Sequence, residues 1–119
     1  MTIRKSAEDY LEAILRLNIT KGYARSVDIA AALSVSKPSV SVMMKRLREN
    51  GYIEMDVDNL ITLTPAGEEI ASRIYERHRV LTEFFKSLGV DEMIAEADAC
   101  KVEHDLSSET FEAIRKSVQ

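Results

Sequence analysis

Apolar residues at Tyr10, Leu11, Ile14, Leu15 and Leu17 recur at helical spacing. Ser6 is placed to cap this helix, Glu8 and Asp9 fall in its first turn, and Lys21-Gly22 ends it. A short second helix starts at Ser26 or Asp28 and runs through Ala32 and Leu33. A third opens at Ser36-Lys37-Pro38, because serine suits the N-cap and a first-turn proline lacks only an N–H that has no intrahelical partner. It continues through Val40, Met43, Met44 and Leu47 to Asn50-Gly51. The period then changes. Tyr52-Ile53-Glu54-Met55 and Leu60-Ile61-Thr62-Leu63 are β-prone runs around a turn-like Asp56-Val57-Asp58-Asn59, which predicts a small hairpin. Thr64-Pro65 repeats the cap-plus-proline start, and a long helix follows to about Leu88-Gly89. Asp91 or Asp98 begins more helix through His104, and Ser107 or Ser108 caps a last one with Phe111, Ile114 and Val118. The expected order is three helices, a hairpin and three helices, a mainly α fold.

Val27–Leu33, the turn Ser34-Val35 and Lys37–Glu49 fit a helix-turn-helix, and the hairpin behind it makes the winged version. Ser36, Lys37, Ser39 and Ser41 at the start of its second helix are small or polar, so the backbone there can approach a groove and its free N–H groups favour phosphate. Lys45, Arg46 and Arg48 add positive charge further along, with a solvated helix face as the plain alternative. Val40, Met44 and Leu47 read as core. The hairpin carries Glu54, Asp56 and Asp58 and no cation, so its tip is expected to repel phosphate.

Composition qualifies this picture. The 119 residues suffice for one small domain or two very small lobes, and 45% apolar with 30% charged residues predicts a packed core. The formal charge of −4 argues against a nucleic-acid partner, yet it is unevenly spread. Residues 1–64 hold 9 basic and 8 acidic side chains, whereas residues 65–119 hold 7 and 12. The acidic half suggests a separate role. No apolar run is long enough to span a membrane, the N-terminus has no secretory pattern, and the one cysteine, Cys100, allows no internal disulfide. An intracellular, cytoplasmic protein is expected.

In that acidic half the long helix has an apolar stripe at Ile70, Ile74, Leu81, Phe85 and Leu88, with His78 inside it. Met93, Ala97, Cys100 and His104 are spaced to share one face of the next helix, flanked by Glu96 and Glu103. Cys100, Glu103 and His104 are metal-ligand types, and Asp9 with Glu12 forms a matching pair on the first helix. Each has a bland alternative: a hydrogen-bonded core histidine, a Glu12–Arg16 ion pair, a small hydrophobic Cys100. Enzyme signatures are lacking, since the chain has no Gly-rich phosphate loop, His-Glu-x-x-His or nucleophile elbow. A non-enzyme is expected.

Four stretches resemble the DtxR/MntR family of metal-dependent transcriptional repressors: Ser6-Ala7-Glu8-Asp9-Tyr10-Leu11-Glu12-Ala13-Ile14, Val35-Ser36-Lys37-Pro38-Ser39-Val40-Ser41, Leu63-Thr64-Pro65-Ala66-Gly67 leading to Arg77-His78-Arg79, and Ala99-Cys100-Lys101-Val102-Glu103-His104. The resemblance implies a DNA-binding lobe at 1–64 and a helical metal-sensing and dimerisation lobe at 65–119. It implies Asp9, Glu12, His78, Cys100, Glu103 and His104 as ligands of one or two Fe²⁺ or Mn²⁺ ions per subunit, with Glu96 in the place of an auxiliary ligand. It places Ser36, Pro38, Ser39 and Ser41 at the DNA. Asp9 matches the manganese-type branch and Cys100 the iron-type branch, Val42 departs from a polar residue of some relatives, and the SH3-like domain of longer members is not expected.

The resulting expectation is a cytoplasmic homodimer that binds a palindromic double-stranded operator when metal-loaded and represses metal-uptake genes, with no membrane partner. Lys37, Lys45 and Arg46 join the serines as DNA-binding candidates. Two rivals remain at this point: a winged-helix regulator that answers to a non-metal ligand or partner, and a small metalloenzyme.

Overall fold

The computed structural model describes residues 1–119 as six helices and one hairpin, in the order α1 (Lys5–Thr20), α2 (Ser26–Leu33), α3 (Lys37–Glu49), β1 (Ile53–Met55), β2 (Ile61–Leu63), α4 (Pro65–Ser87), α5 (Glu92–Val102) and α6 (Ser108–Ser117). No single helix is long and apolar enough to cross a membrane. The chain forms two compact units, Met1–Ser72 and Arg73–Gln119, with α4 running through the boundary.

In the first unit, Tyr10, Leu11 and Ile14 of α1, Ile29 of α2, Val40, Met44 and Leu47 of α3, and Ile53 and Ile61 of the hairpin form one buried cluster. The helical period predicted these α1 and α3 positions because each element shows one apolar face to a common centre. Ser6 is not the cap of α1. The bond from Glu8 N–H to the Arg4 carbonyl (3.0 Å) starts the helix earlier and leaves Ser6 in the first turn. Ser36 caps α3 as expected, its Oγ accepting from the Ser39 N–H at 3.3 Å with Pro38 in the first turn.

Between α2 and α3 the axis bends by 116°, within the helix-turn-helix range. Ser34 makes that turn in the left-handed region (φ 55°), and the Val35 N–H closes it on the Ala30 carbonyl at 3.1 Å. The hairpin is antiparallel, pairing Ile53 with Leu63 and Met55 with Ile61. Its tip is built by Asp56, whose Oδ1 accepts from the N–H groups of Asp58 and Leu60, both at 2.9 Å. The hairpin is anchored where the Ile61 N–H reaches the Ala24 carbonyl at 2.8 Å. Thr64 starts α4: its Oγ1 donates to the Gly51 carbonyl (2.6 Å) and accepts from the Gly67 N–H (3.2 Å).

In the second unit, Asp91 caps α5 by accepting from the Met93 N–H, and Ser107 caps α6 by accepting from the Thr110 N–H. Ile74, Leu81, Ala95, Ala99 and Phe111 are buried. Two expectations about faces need correction. Leu88 ends the predicted α4 stripe but is 66% exposed. Met93, Ala97, Cys100 and His104 do not share one face: Met93 is 80% exposed and Ala97 and Cys100 are exposed too. His104 lies beyond the end of α5 with its side chain buried, and Ala95, Ala99 and the following Glu103 are the buried positions. Apolar residues lie all around α5, so their spacing alone did not choose a side.

Candidate metal centre and nucleic-acid face

His78 enters the second unit from the middle of α4, where the Thr82 hydroxyl donates to its carbonyl at 2.7 Å. Its Nδ1 lies 3.0 Å from Glu103 Oε2 and 3.6 Å from Cys100 Sγ. The other carboxylate oxygen of Glu103 is 3.5 Å from His104 Nε2. The donor atoms of His78, Cys100 and Glu103 lie within 4.8 Å of one another. Glu103 and His78 are buried, the exposed Cys100 leaves the cluster open on one side, and His104 keeps only 1% of its side chain accessible. The cluster crosses 25 residues of sequence through the turn between α4 and α5.

Electrostatics show what this group of acceptors favours. Cys100 and then Glu103 raise the His78 pKa from 6.5 to about 9, against the opposing cost of burial. The site therefore stabilises positive charge, held as a proton on the imidazole. A nitrogen, a sulfur and a carboxylate converging around it also fit a divalent transition ion, which takes such mixed donors once that proton leaves.

The raised pKa has a consequence for stability. A group whose folded pKa exceeds its unfolded value stabilises the fold fully below the unfolded pKa. In metal-free protein the His78 contribution is thus complete below about pH 6.5 and lost as pH rises through about 9, a change on the order of 3 kcal/mol. Thermal unfolding of metal-free protein between pH 6 and 10 should show this loss. His78→Gln should remove most of it, and an unchanged slope in that variant would contradict the assignment.

Of the other expected ligands, Asp9 and Glu12 stand almost one turn apart on α1 in the first unit, Glu12 buried and Asp9 half-buried. Glu96 is exposed on α5 and is not among the clustered donors. The predicted nucleic-acid residues are all on α3 or its cap: Ser36, Lys37, Pro38, Ser39, Ser41, Lys45 and Arg46 are exposed, and the Ser36 and Ser39 hydroxyls hold each other at 2.8 Å. Val42 is 62% exposed on the same helix.

Beside this helix is a cavity of about 450 Å³ lined by Arg25, Ser26, Ser41, Lys45, Arg48 and Asn59, among others. Three of these are cations, and the start of α2 adds backbone N–H groups that have no intrahelical partner. Sequence reasoning missed Arg25 and Ser26. The signal available was a basic residue directly before a helix start, a weak one until folding sets it opposite Lys45 and Arg48.

Comparison with known proteins shows the family. Residues 2–59 match the family described as "Iron dependent repressor, N-terminal DNA binding domain", and residues 64–119 match "Iron dependent repressor, metal binding and dimerisation domain". The chain is 44% identical over 110 residues to the transcriptional regulator MntR of Salmonella typhimurium, which covers 92% of this chain and 70% of that protein. It is 41% identical to the HTH-type transcriptional regulator MntR of Lysinibacillus sphaericus, covering 96% and 82%. Among solved structures it is similar to T. acidophilum IdeR (TM-score 0.85, 26% identity, 98% of this chain and 55% of that one). It is also similar to the manganese regulator SloR (TM-score 0.80, 31% identity, 98% and 54%). The chain thus spans little more than half the length of those two structures. With its winged helix-turn-helix half and its donor-lined helical half, this chain belongs to the iron-dependent repressor family of metal-dependent transcriptional regulators.

Proposed function

We propose that this chain is a metal-activated repressor of metal-uptake genes, acting in the cytoplasm as a homodimer on a palindromic double-stranded operator, and that it is not an enzyme. One observation carries the reading: His78, Cys100 and Glu103 bring three chemically suitable donor atoms within 4.8 Å. The domain boundary is placed at 64/65, and His78, Cys100, Glu103 and His104 are assigned as ligands from residues 65–119. Asp9 and Glu12 join them from residues 1–64 on the strength of the family motif. When bound, Fe²⁺ or Mn²⁺, as one or two ions per subunit, adds positive charge to an acidic chain and links these donors. Donors drawn from both parts of the chain then restrain the reading helices. This favours a dimer geometry that matches half-sites about 34 Å apart.

At the DNA, Ser36, Lys37, Pro38, Ser39 and Ser41 are assigned to the groove end of α3. Lys45, Arg48, Arg25 and Ser26 are assigned to phosphate, a role supported by their place in the lining of the cavity beside α3, and the exposed Arg46 is assigned with them by its charge. The acidic hairpin tip takes no part. A gel-shift with a palindromic candidate operator, run anaerobically in Fe²⁺, Mn²⁺, Zn²⁺ or chelator, tests the reading. Binding is expected with Fe²⁺ or Mn²⁺ and release in chelator. Equal binding in all conditions overturns metal activation.

Cys100 is the soft donor among harder ones, and softness favours Fe²⁺ over Mn²⁺. Cys100→Glu is expected to move the ratio of Mn²⁺ to Fe²⁺ affinity by about tenfold towards Mn²⁺. Competitive titration of both metals checks this, and an unchanged ratio refutes it.

A further inference from the structure

Two consecutive side chains of α4 hold Glu103 from opposite ends. His78 meets its carboxylate at 3.0 Å, while Arg77 Nη1 donates to its main-chain carbonyl at 3.2 Å and to the Leu106 carbonyl at 2.7 Å. Glu103 is the C-cap of α5, where the last carbonyls of the helix have no intrahelical partner. The Arg77 guanidinium also lies over the ring of buried Phe111, 5.2 Å from its centroid, and Arg115 of α6 lies over that ring at 5.0 Å. One side chain of α4 thus ties together the end of α5, the α5–α6 connection and the aromatic anchor of α6.

We infer that Arg77 is a positioning residue of the metal centre: by fixing the backbone of Glu103 it sets the aim of the Glu103 carboxylate and of the adjoining His104 ring. This rests on the reading of His78, Cys100, Glu103 and His104 as metal ligands. Arg77 itself is not a ligand, since a guanidinium stays protonated and has no acceptor lone pair. Its value lies in one nitrogen, Nη1, that serves two carbonyls three residues apart in sequence while the planar group it belongs to lies over the Phe111 ring. Lysine keeps the charge and the donors but has no planar group to lie over that ring, so it reproduces only part of the grip. A carboxylate ligand on an untethered helix end has its backbone free to shift, and ligands depend on such outer partners for their orientation.

The test uses the full chain as Arg77→Met, Arg77→Lys and a control, Arg115→Gln, which removes the second cation over Phe111 and the ion pair with Glu76. Mn²⁺ affinity is measured by calorimetric titration, and stability by thermal unfolding without metal. Arg77→Met is expected to weaken Mn²⁺ binding roughly 10- to 100-fold, the usual loss for an outer-shell partner, and Arg77→Lys to recover only part of it. Arg115→Gln is expected to melt earlier than the parent while keeping the parent's Mn²⁺ affinity.

If Arg77→Met melts early yet binds Mn²⁺ like the parent, Arg77 is merely structural and the inference falls. Should Arg77→Met fail to fold, Arg77→Lys decides, and parental affinity in that variant overturns the inference. A parent protein that binds no Mn²⁺ defeats the ligand assignment itself. A parent that binds, with Arg77 variants that bind equally, defeats only the positioning role.

Discussion

Glu103→Gln is expected to lower Mn²⁺ affinity at least a hundredfold, and to abolish operator binding at metal concentrations that saturate the parent. The substitution keeps the shape and removes one charge, so it isolates electrostatics from packing. Glu103 is 1% exposed and the most connected member of the cluster, one carboxylate oxygen facing His78 and the other His104. A neutral amide is a far weaker donor to a divalent ion, and its NH₂ group points a positive dipole where the ion belongs. The variant also loses the partner that, with Cys100, holds the His78 pKa up, so that pKa should fall back towards its ordinary value. Metal-free protein should lose stability, but only modestly, because an imidazole that has lost its partner can shed its proton instead of remaining a buried unpaired charge. Titration with Mn²⁺ and unfolding of metal-free protein together read both effects. Affinity within threefold of the parent would remove Glu103 from the ligand set.

Gly67→Ala is expected to be among the most destabilising single-methyl additions in the chain, at about 3 kcal/mol or more. A Cβ at Gly67 would stand 2.0 Å from the Tyr52 carbonyl oxygen and 3.0 Å from its carbon. Those atoms are main chain and cannot swing aside as a side chain would. The same carbonyl accepts the Thr64 N–H at 3.1 Å, so pushing it away also breaks the junction between the hairpin and the start of α4. The glycine is needed here for close approach rather than for its backbone angles. Gly89→Ala is the contrast: its φ of +97° strains alanine, yet nothing lies within 4 Å of the added methyl, and a cost of about 1 kcal/mol is expected. Thermal unfolding should separate the two variants by several degrees. A Gly67→Ala protein as stable as Gly89→Ala would show that α4 can shift away from the hairpin at little cost.

Motifs that work within one turn of chain were readable in the sequence. Ser36-Lys37-Pro38 and Thr64-Pro65 act through bonds spanning three residues, so residue type and spacing are enough to place the helix starts. The α1 and α3 faces were readable because polar and apolar positions alternate there with a clear period. Ser6 misled because a serine is as acceptable in a first turn as at a cap, and only the backbone bond from Glu8 to Arg4 decides which. Arg25 was passed over because its place beside Lys45 and Arg48 is a property of the helix-turn-helix bend.

What the sequence determined alone was the order of elements, the caps, the helix-turn-helix spacing and the stock of donor side chains, because these depend on neighbours a few residues away. Tertiary structure decided which side of α5 is buried, since Met93, Ile94, Ala95, Ala97 and Ala99 leave nearly every side of that helix apolar. It also decided that Glu103 is held by Arg77 at its backbone and by His78 at its carboxylate. The physical reason is that a buried carboxylate is tolerable only where it has partners, and here His78, which faces one of its oxygens, comes from a helix 25 residues earlier in the chain.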